Sequence, residues 1–111
     1  MTTRFERNMR LMRSKDPQER EDGFHFLLPH AADHIDELIA AFRQEQDGGL
    51  RCWLLELIGD ARSPTALDVL AEQLYGDDDS LRAWAVRGWR KLDTKPAGYE
   101  LWKARANGLI D

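Results

Sequence analysis

Cysteine occurs once, at Cys52, so no internal disulfide can close and no thiolate pair is present to hold a metal. Stability has to come from packing. Nowhere do apolar residues run on for the roughly 18 to 20 positions that a bilayer-spanning helix needs. The N-terminus is also too charged for a secretory signal, so the expectation is a cytoplasmic chain without a membrane segment. No stretch alternates apolar and polar residues with a period of two, so no strands are expected. A phosphate loop, a dinucleotide fingerprint and a nucleophile elbow are all missing. The chain therefore reads as a non-enzyme that uses no cofactor and no metal.

What is present is a repeat. Leu50-Arg51-Cys52-Trp53-Leu54-Leu55 returns 31 residues later as Leu81-Arg82-Ala83-Trp84-Ala85-Val86. Each copy follows a turn, Asp47-Gly48-Gly49 or Asp77-Asp78-Asp79-Ser80, and an apolar second segment separates the two. One unit thus reads helix, turn, helix. Such a hairpin cannot bury its apolar face alone, so stacked neighbours must supply the core. The 111 residues leave room for one domain, and 42% hydrophobic residues suffice for a small core. The expected fold is all-α: a small right-handed α-solenoid of about three stacked helical hairpins behind a short N-terminal capping helix. Residues 1–15 form the cap, 16–46 a degenerate first repeat, 47–76 the second and 77–111 the third.

The chain in order supplies the boundaries. Thr3-Arg4-Phe5-Glu6 is a capping-box pattern, and Phe5, Met9 and Met12 share one side of a helix expected over residues 3–14. Asp16-Pro17-Gln18-Glu19 starts another helix with an N-cap, a proline at the first helical position and a glutamate at N3. Pro29 closes it. A partner helix over residues 31–46 carries Ile35, Leu38, Ile39 and Phe42 at the spacing of a buried stripe. Gly48-Gly49 breaks that helix, the next runs from Leu50 to Ile58, and Gly59 is expected as its left-handed C-cap. Ser63-Pro64 restarts the chain, and Leu67, Leu70, Ala71 and Leu74 are expected to face inward. The third copy should bury Leu81, Ala85, Trp89 and Leu92, and a last helix over residues 96–107 offers Tyr99, Leu101 and Trp102.

The pattern Asp-x-x-Leu-Arg-x-x-Leu-x-x-x-Ile-Gly over residues 47–59, followed by Ala66, Leu70 and Leu74 and then Asp78-x-x-Leu81-Arg82-x-x-Ala85, resembles the short HEAT-like repeat of the variety found in phycobilin lyase subunits. That resemblance implies that the aspartate caps the first helix of each unit. It also implies that the arginine pairs with an acid of a neighbouring turn, forming a ladder of Arg20, Arg51 and Arg82. The chain departs from the pattern at Asp22 and Gly23, where the other copies have Trp-Leu and Trp-Ala, and at Gly88 inside a helix. These departures leave helix regularity at both ends open.

Charge is distributed unevenly. Residues 1–15 carry a net +4, residues 16–79 a net −12 and residues 80–111 a net +4, which together give the formal −4. In a stacked architecture the second helices line one side, where Asp33, Asp36, Glu37, Asp68 and Glu72 should gather. An acidic strip of that kind is either a plain solvated surface or one that steers a basic partner, and Trp53 and Trp84, aligned on adjacent helices, are either packing between repeats or the exposed aromatic anchors such a partner would use. His30 and His34 have a metal-compatible spacing but no third ligand, Asp77-Asp78-Asp79 lacks a calcium loop's alternation, and Cys52 belongs to an apolar helix. The expected function is a protein-protein interaction module, including the case of an immunity-type inhibitor of a basic toxin, acting as a monomer or weak dimer. Nucleic-acid binding through Arg4, Arg7, Arg10, Arg87, Arg90 and Lys91 ranks behind it, as does a role as accessory subunit of a lyase-like enzyme, which rests on the resemblance alone.

Overall fold

A computed structural model describes residues 3–92 and 94–110. Among these residues every regular element is helical. Helix α1 spans Arg4–Met12, α2 Pro17–Leu27, α3 Ile35–Gln44, α4 Gly48–Asp60, α5 Leu67–Leu74, α6 Asp79–Leu92 and α7 Lys95–Ala106, with 3₁₀ turns at Leu28–His34 and Pro64–Ala66.

The capping residues start the helices where their chemistry requires. Thr3 Oγ1 accepts from the Glu6 amide at 3.1 Å, Asp16 Oδ1 from Gln18 at 3.0 Å, Asp47 Oδ2 from Leu50 at 2.8 Å and Asp78 Oδ1 from Leu81 at 3.0 Å. Each bond satisfies an amide that the helix itself leaves without a partner. Gly48 and Gly49 consequently form the first turn of α4 and do not interrupt anything. Pro29 does end α2 at Leu27, but the chain continues as the 3₁₀ turn before α3 begins at Ile35.

Helix α4 is the centre of the packing: it lies against α3, the Leu28–His34 turn and α6. Helix α1 packs on α2, α5 on α6, and α6 on α7, giving a body of 46 × 24 × 21 Å. Leu38, Phe42, Leu54, Leu55, Leu57, Ile58, Leu70, Leu74 and Ala85 are fully buried in a single cluster. Leu81 and Trp89 join it, and Leu50 and Leu92 pack half-buried at its edge.

Several expectations about side chains are corrected. Leu67 is 37% exposed, because the Pro64–Ala66 turn places Ala66 and Val69 inward in its stead. On α7 the buried residues are Ala97, Leu101 and Ala104, an i, i+4, i+7 stripe that leaves Tyr99 and Trp102 outside it. Gly59 is not a left-handed cap either: it is buried within α4, and the positive φ in this turn belongs to Arg62, at 53°.

The reason for Gly59 is a close crossing. A Cβ there would lie 2.9 Å from the Gly88 Cα on α6, so the two backbones touch where neither has a side chain. Gly88 is therefore an interior position of a regular helix and a requirement of its packing. Gly23 answers to the same logic at the other end, since a Cβ there would lie 2.5 Å from the Asn8 carbonyl oxygen of α1. It occupies the repeat position of the buried Leu54 and Ala85, which α1 leaves no room to fill.

Two substitutions should separate helix propensity from packing. Gly98→Ala, on the open surface of α7 with nothing near the new Cβ, should raise stability by up to about 1 kcal/mol. Gly59→Ala gains the same propensity but presses on α6 backbone, an overpacking cost of about 1–3 kcal/mol, so urea unfolding should show a net loss. Equal shifts in the two midpoints would contradict the crossing.

Candidate protein-binding surface

The acids of the second helices have a local reason to be where they are. Asp36 and Glu37 occupy the first turn of α3 and Asp68 the first turn of α5, where the unpaired amides of a helix N-terminus favour negative charge. All three are exposed, as are Asp33 and Glu72. Asp33 lies 3.8 Å from the His30 ring nitrogen, and Glu37 2.9 Å from that of His34.

Arg43 joins the two helices. Its guanidinium donates to both oxygens of Glu72, at 2.8 and 3.3 Å, and feels Asp68 as well. The bidentate bond lowers the Glu72 pKa below its ordinary 4.5 and raises that of Arg43. Asp36 and Asp68 make no ion pair among the described residues, so the strip keeps unneutralised negative charge on both α3 and α5.

The row continues onto α7 through Tyr75, the residue that caps the end of α5. Its hydroxyl donates to Glu100 at 3.0 Å, and Glu100 also pairs with Lys103 at 2.9 Å. The lysine lowers the Glu100 pKa and its own is raised in return. Lys103 reaches over Tyr99, 4.9 Å from the ring centroid, and Tyr99 stacks on Trp102 at 5.9 Å and 19°. Tyr99 is 57% and Trp102 60% exposed. Sequence reasoning missed these aromatics as surface groups, although the Ala97, Leu101, Ala104 stripe was available to show which face α7 buries.

Trp53 and Trp84 are placed elsewhere than with the acids. They lie on α4 and α6, and both are half-buried. Trp53 packs on Phe24 of α2 with centroids 5.0 Å apart, and the Arg87 guanidinium covers the Trp84 ring at 4.4 Å. The two rings share a repeat position, but neither borders the acidic strip in chain topology.

The three arginines at the repeat position behave differently from one another. Arg82 donates to Asp79 at 2.8 Å and to the Gly76 carbonyl at 2.6 Å, fastening the turn that precedes its own helix. Arg51 lies over the Phe42 ring at 4.4 Å, with its Nε buried and without a partner among the described residues. Arg20 is exposed and makes no ion pair among the described residues. Among the described residues no common ladder of ion pairs links them: Arg20 lies exposed on α2, and the Phe42 ring takes the Arg51 guanidinium.

Between α4 and α6 one pair of opposite charges meets. Lys91 of α6 reaches Asp60 of α4 at 2.6 Å, so it is not a free cation for a phosphate backbone. Glu56, half-buried beside them, has its pKa raised above 4.5 chiefly by burial, against the opposing pull of Lys91 and Arg87. No protein-family model matches this chain, and neither a curated protein nor a solved structure does.

The opposite shifts of Glu56 and Glu72 give opposite pH dependences. With its pKa raised in the fold, Glu56 costs stability as pH rises through that value and costs nothing below 4.5. Glu56→Gln should therefore be the more stable protein at pH 7 and converge on the parent below about pH 4.5. Glu72, with its pKa lowered, contributes stability above 4.5 that is lost as pH falls through its folded value. Glu72→Gln should be the less stable protein at neutral pH and rejoin the parent in acid. Thermal unfolding of the three proteins between about pH 3 and pH 8 reads both differences, and a Glu56→Gln curve lying below the parent at pH 7 would refute the assignment.

Proposed function

We propose that this chain is a non-catalytic protein-binding module, a short stack of HEAT-like helical hairpins that captures a basic partner protein on the side formed by α3, α5 and α7. An inhibitor of the immunity or antitoxin type, covering the cationic substrate-binding surface of a toxin such as a nuclease, is the special case this chemistry suits best. The observation that carries the proposal is the unneutralised charge of Asp36 and Asp68 on the same row as the exposed Tyr75, Tyr99 and Trp102.

The two kinds of group do different things in recognition. Exposed carboxylates raise the association rate of a cationic partner and add little affinity once the complex is wet. Large aromatics, held in place by their neighbours, bury apolar area on docking at small cost in side-chain entropy. Here Lys103 and Trp102 hold Tyr99, and Glu100 holds Tyr75, so the anchors are ordered before a partner arrives. The stacking of hairpins is supported by the 31-residue recurrence and by α4 lying along α6, its counterpart one unit on.

The test compares proteins captured from the native host by the parent, by a variant with Asp36, Glu37, Asp68 and Glu72 all changed to lysine, and by an Arg7→Glu, Arg10→Glu variant. A partner retained by the parent and the second variant but lost with the first, with an association rate that falls steeply with salt, is the expected result. Loss with the arginine reversals alone would move the functional surface to α1 and overturn the proposal.

A further inference from the structure

Helix α7 does not simply run out. Gly108 adopts φ +74°, the Leu109 amide donates to the Ala104 carbonyl at 2.9 Å, and the Gly108 amide donates to the Arg105 carbonyl at 3.1 Å. Those two bonds around a left-handed glycine are a Schellman turn, which reverses the chain and returns the following apolar residue to the helix it left. Leu109 and Ile110 accordingly pack against the core, where they face α6 across a cleft of about 460 Å³. The volume lies in the range of small-ligand sites, roughly 300–1,000 Å³.

The chemistry of the cleft is one-sided. Its α6 wall carries Arg82, Arg87 and Arg90 around Val86, and its other wall is Leu109 and Ile110. The only carboxylate in the lining among the described residues, Asp79, is bonded to Arg82. Arg87 rests on Trp84 and feels Glu56 at a distance, but neither it nor Arg90 forms a salt bridge among the described residues. Three arginines thus line one groove of a chain whose net charge is −4, two of them without a salt bridge among the described residues, beside the apolar Val86, Leu109 and Ile110. Guanidinium forks match carboxylate and phosphate oxygens, and the floor has no use for a fully hydrated ion.

We propose that this cleft binds a small amphipathic anion, a carboxylate or phosphate monoester borne on a short apolar body, with the head group between Arg87 and Arg90 and the body against Val86, Leu109 and Ile110. This site is independent of the acidic row, and it stands or falls separately from the protein-binding reading.

Four probes isolate the two requirements: octanoate, octyl phosphate, inorganic phosphate and octanol, each titrated into the ¹⁵N-labelled chain below any micelle concentration. Saturable shifts of the Leu109 and Ile110 amides are expected with at least one of the two amphiphilic anions, and the tighter one names the head group. Inorganic phosphate and octanol, each lacking one half of the ligand, should need at least about tenfold more. The Arg87→Gln, Arg90→Gln protein should weaken the best probe by at least about tenfold, since each lost charge-assisted bond is a factor of that order. Both side chains are exposed, so the fold should survive. An Arg7→Gln, Arg10→Gln protein should bind as the parent does. Binding unchanged in the Arg87, Arg90 variant, or inorganic phosphate as good as octyl phosphate, or octanol as good as octanoate, would each overturn the proposal.

Discussion

The contact on which the rest depends is the crossing of α4 and α6 at Gly59 and Gly88, where backbone meets backbone with no side chain between. Helices that approach this closely bring the residues on either side of the crossing into full contact. Leu55, Ile58, Ala85 and Trp89 are all buried, and Leu70 of α5 fills the space over Gly88. The same proximity places Lys91 within 2.6 Å of Asp60 and sets Glu56 in the half-buried position that raises its pKa. A wider crossing would leave voids in the core and solvate that cluster. One steric condition therefore fixes both the packing and the electrostatics of the first-helix side.

Much of this was legible in the sequence because the signals are local. An aspartate, threonine or serine that caps a helix does so within three residues, and Thr3, Asp16, Asp47, Ser63 and Asp78 all cap where the pattern put them. Periodicity likewise identified Phe5, Met9, Leu38, Phe42, Leu54 and Leu74 as buried. The failures are tertiary. Gly59 and Gly88 look like a stop and a defect in one dimension, and only the neighbouring helix shows that each makes room for the other. Leu67 carries the right residue type, but a 3₁₀ turn before it rotates the face of α5 and exposes it.

The candidate surface shows the same division. That Asp36, Glu37 and Asp68 stand in first turns, where a helix N-terminus favours negative charge, is something a sequence can reveal. Which cations they meet is not. Arg43 and Glu72 are 29 residues apart, and nothing short of the packing of α3 on the following unit brings them together. The tryptophans stood out as interface anchors because they recur at one repeat position, but recurrence fixes a position along a helix, not the side of the molecule on which that helix lies. Trp53 and Trp84 belong to the row that α2 and Arg87 already cover.

That difference between the rows bears on what each can do. Between α4 and α6 Lys91 is paired with Asp60, and the Trp53 and Trp84 rings rest on Phe24 and on the Arg87 guanidinium. A partner docking there would have to displace interactions that the fold itself uses, so its binding would be opposed by the stability it removed. On the second-helix side the bridge between α3 and α5, Arg43 to Glu72, leaves Asp36 and Asp68 over, and the stacked Tyr99 and Trp102 have their outer surface in solvent. A partner reaching their outer faces need not displace the Arg43–Glu72 bridge or the Lys103 contact with Tyr99. Open aromatic area beside carboxylates without ion pairs is what sets α3, α5 and α7 apart from α4 and α6, and on the proposed reading a partner docking there would add to the stability of the fold and not compete with it.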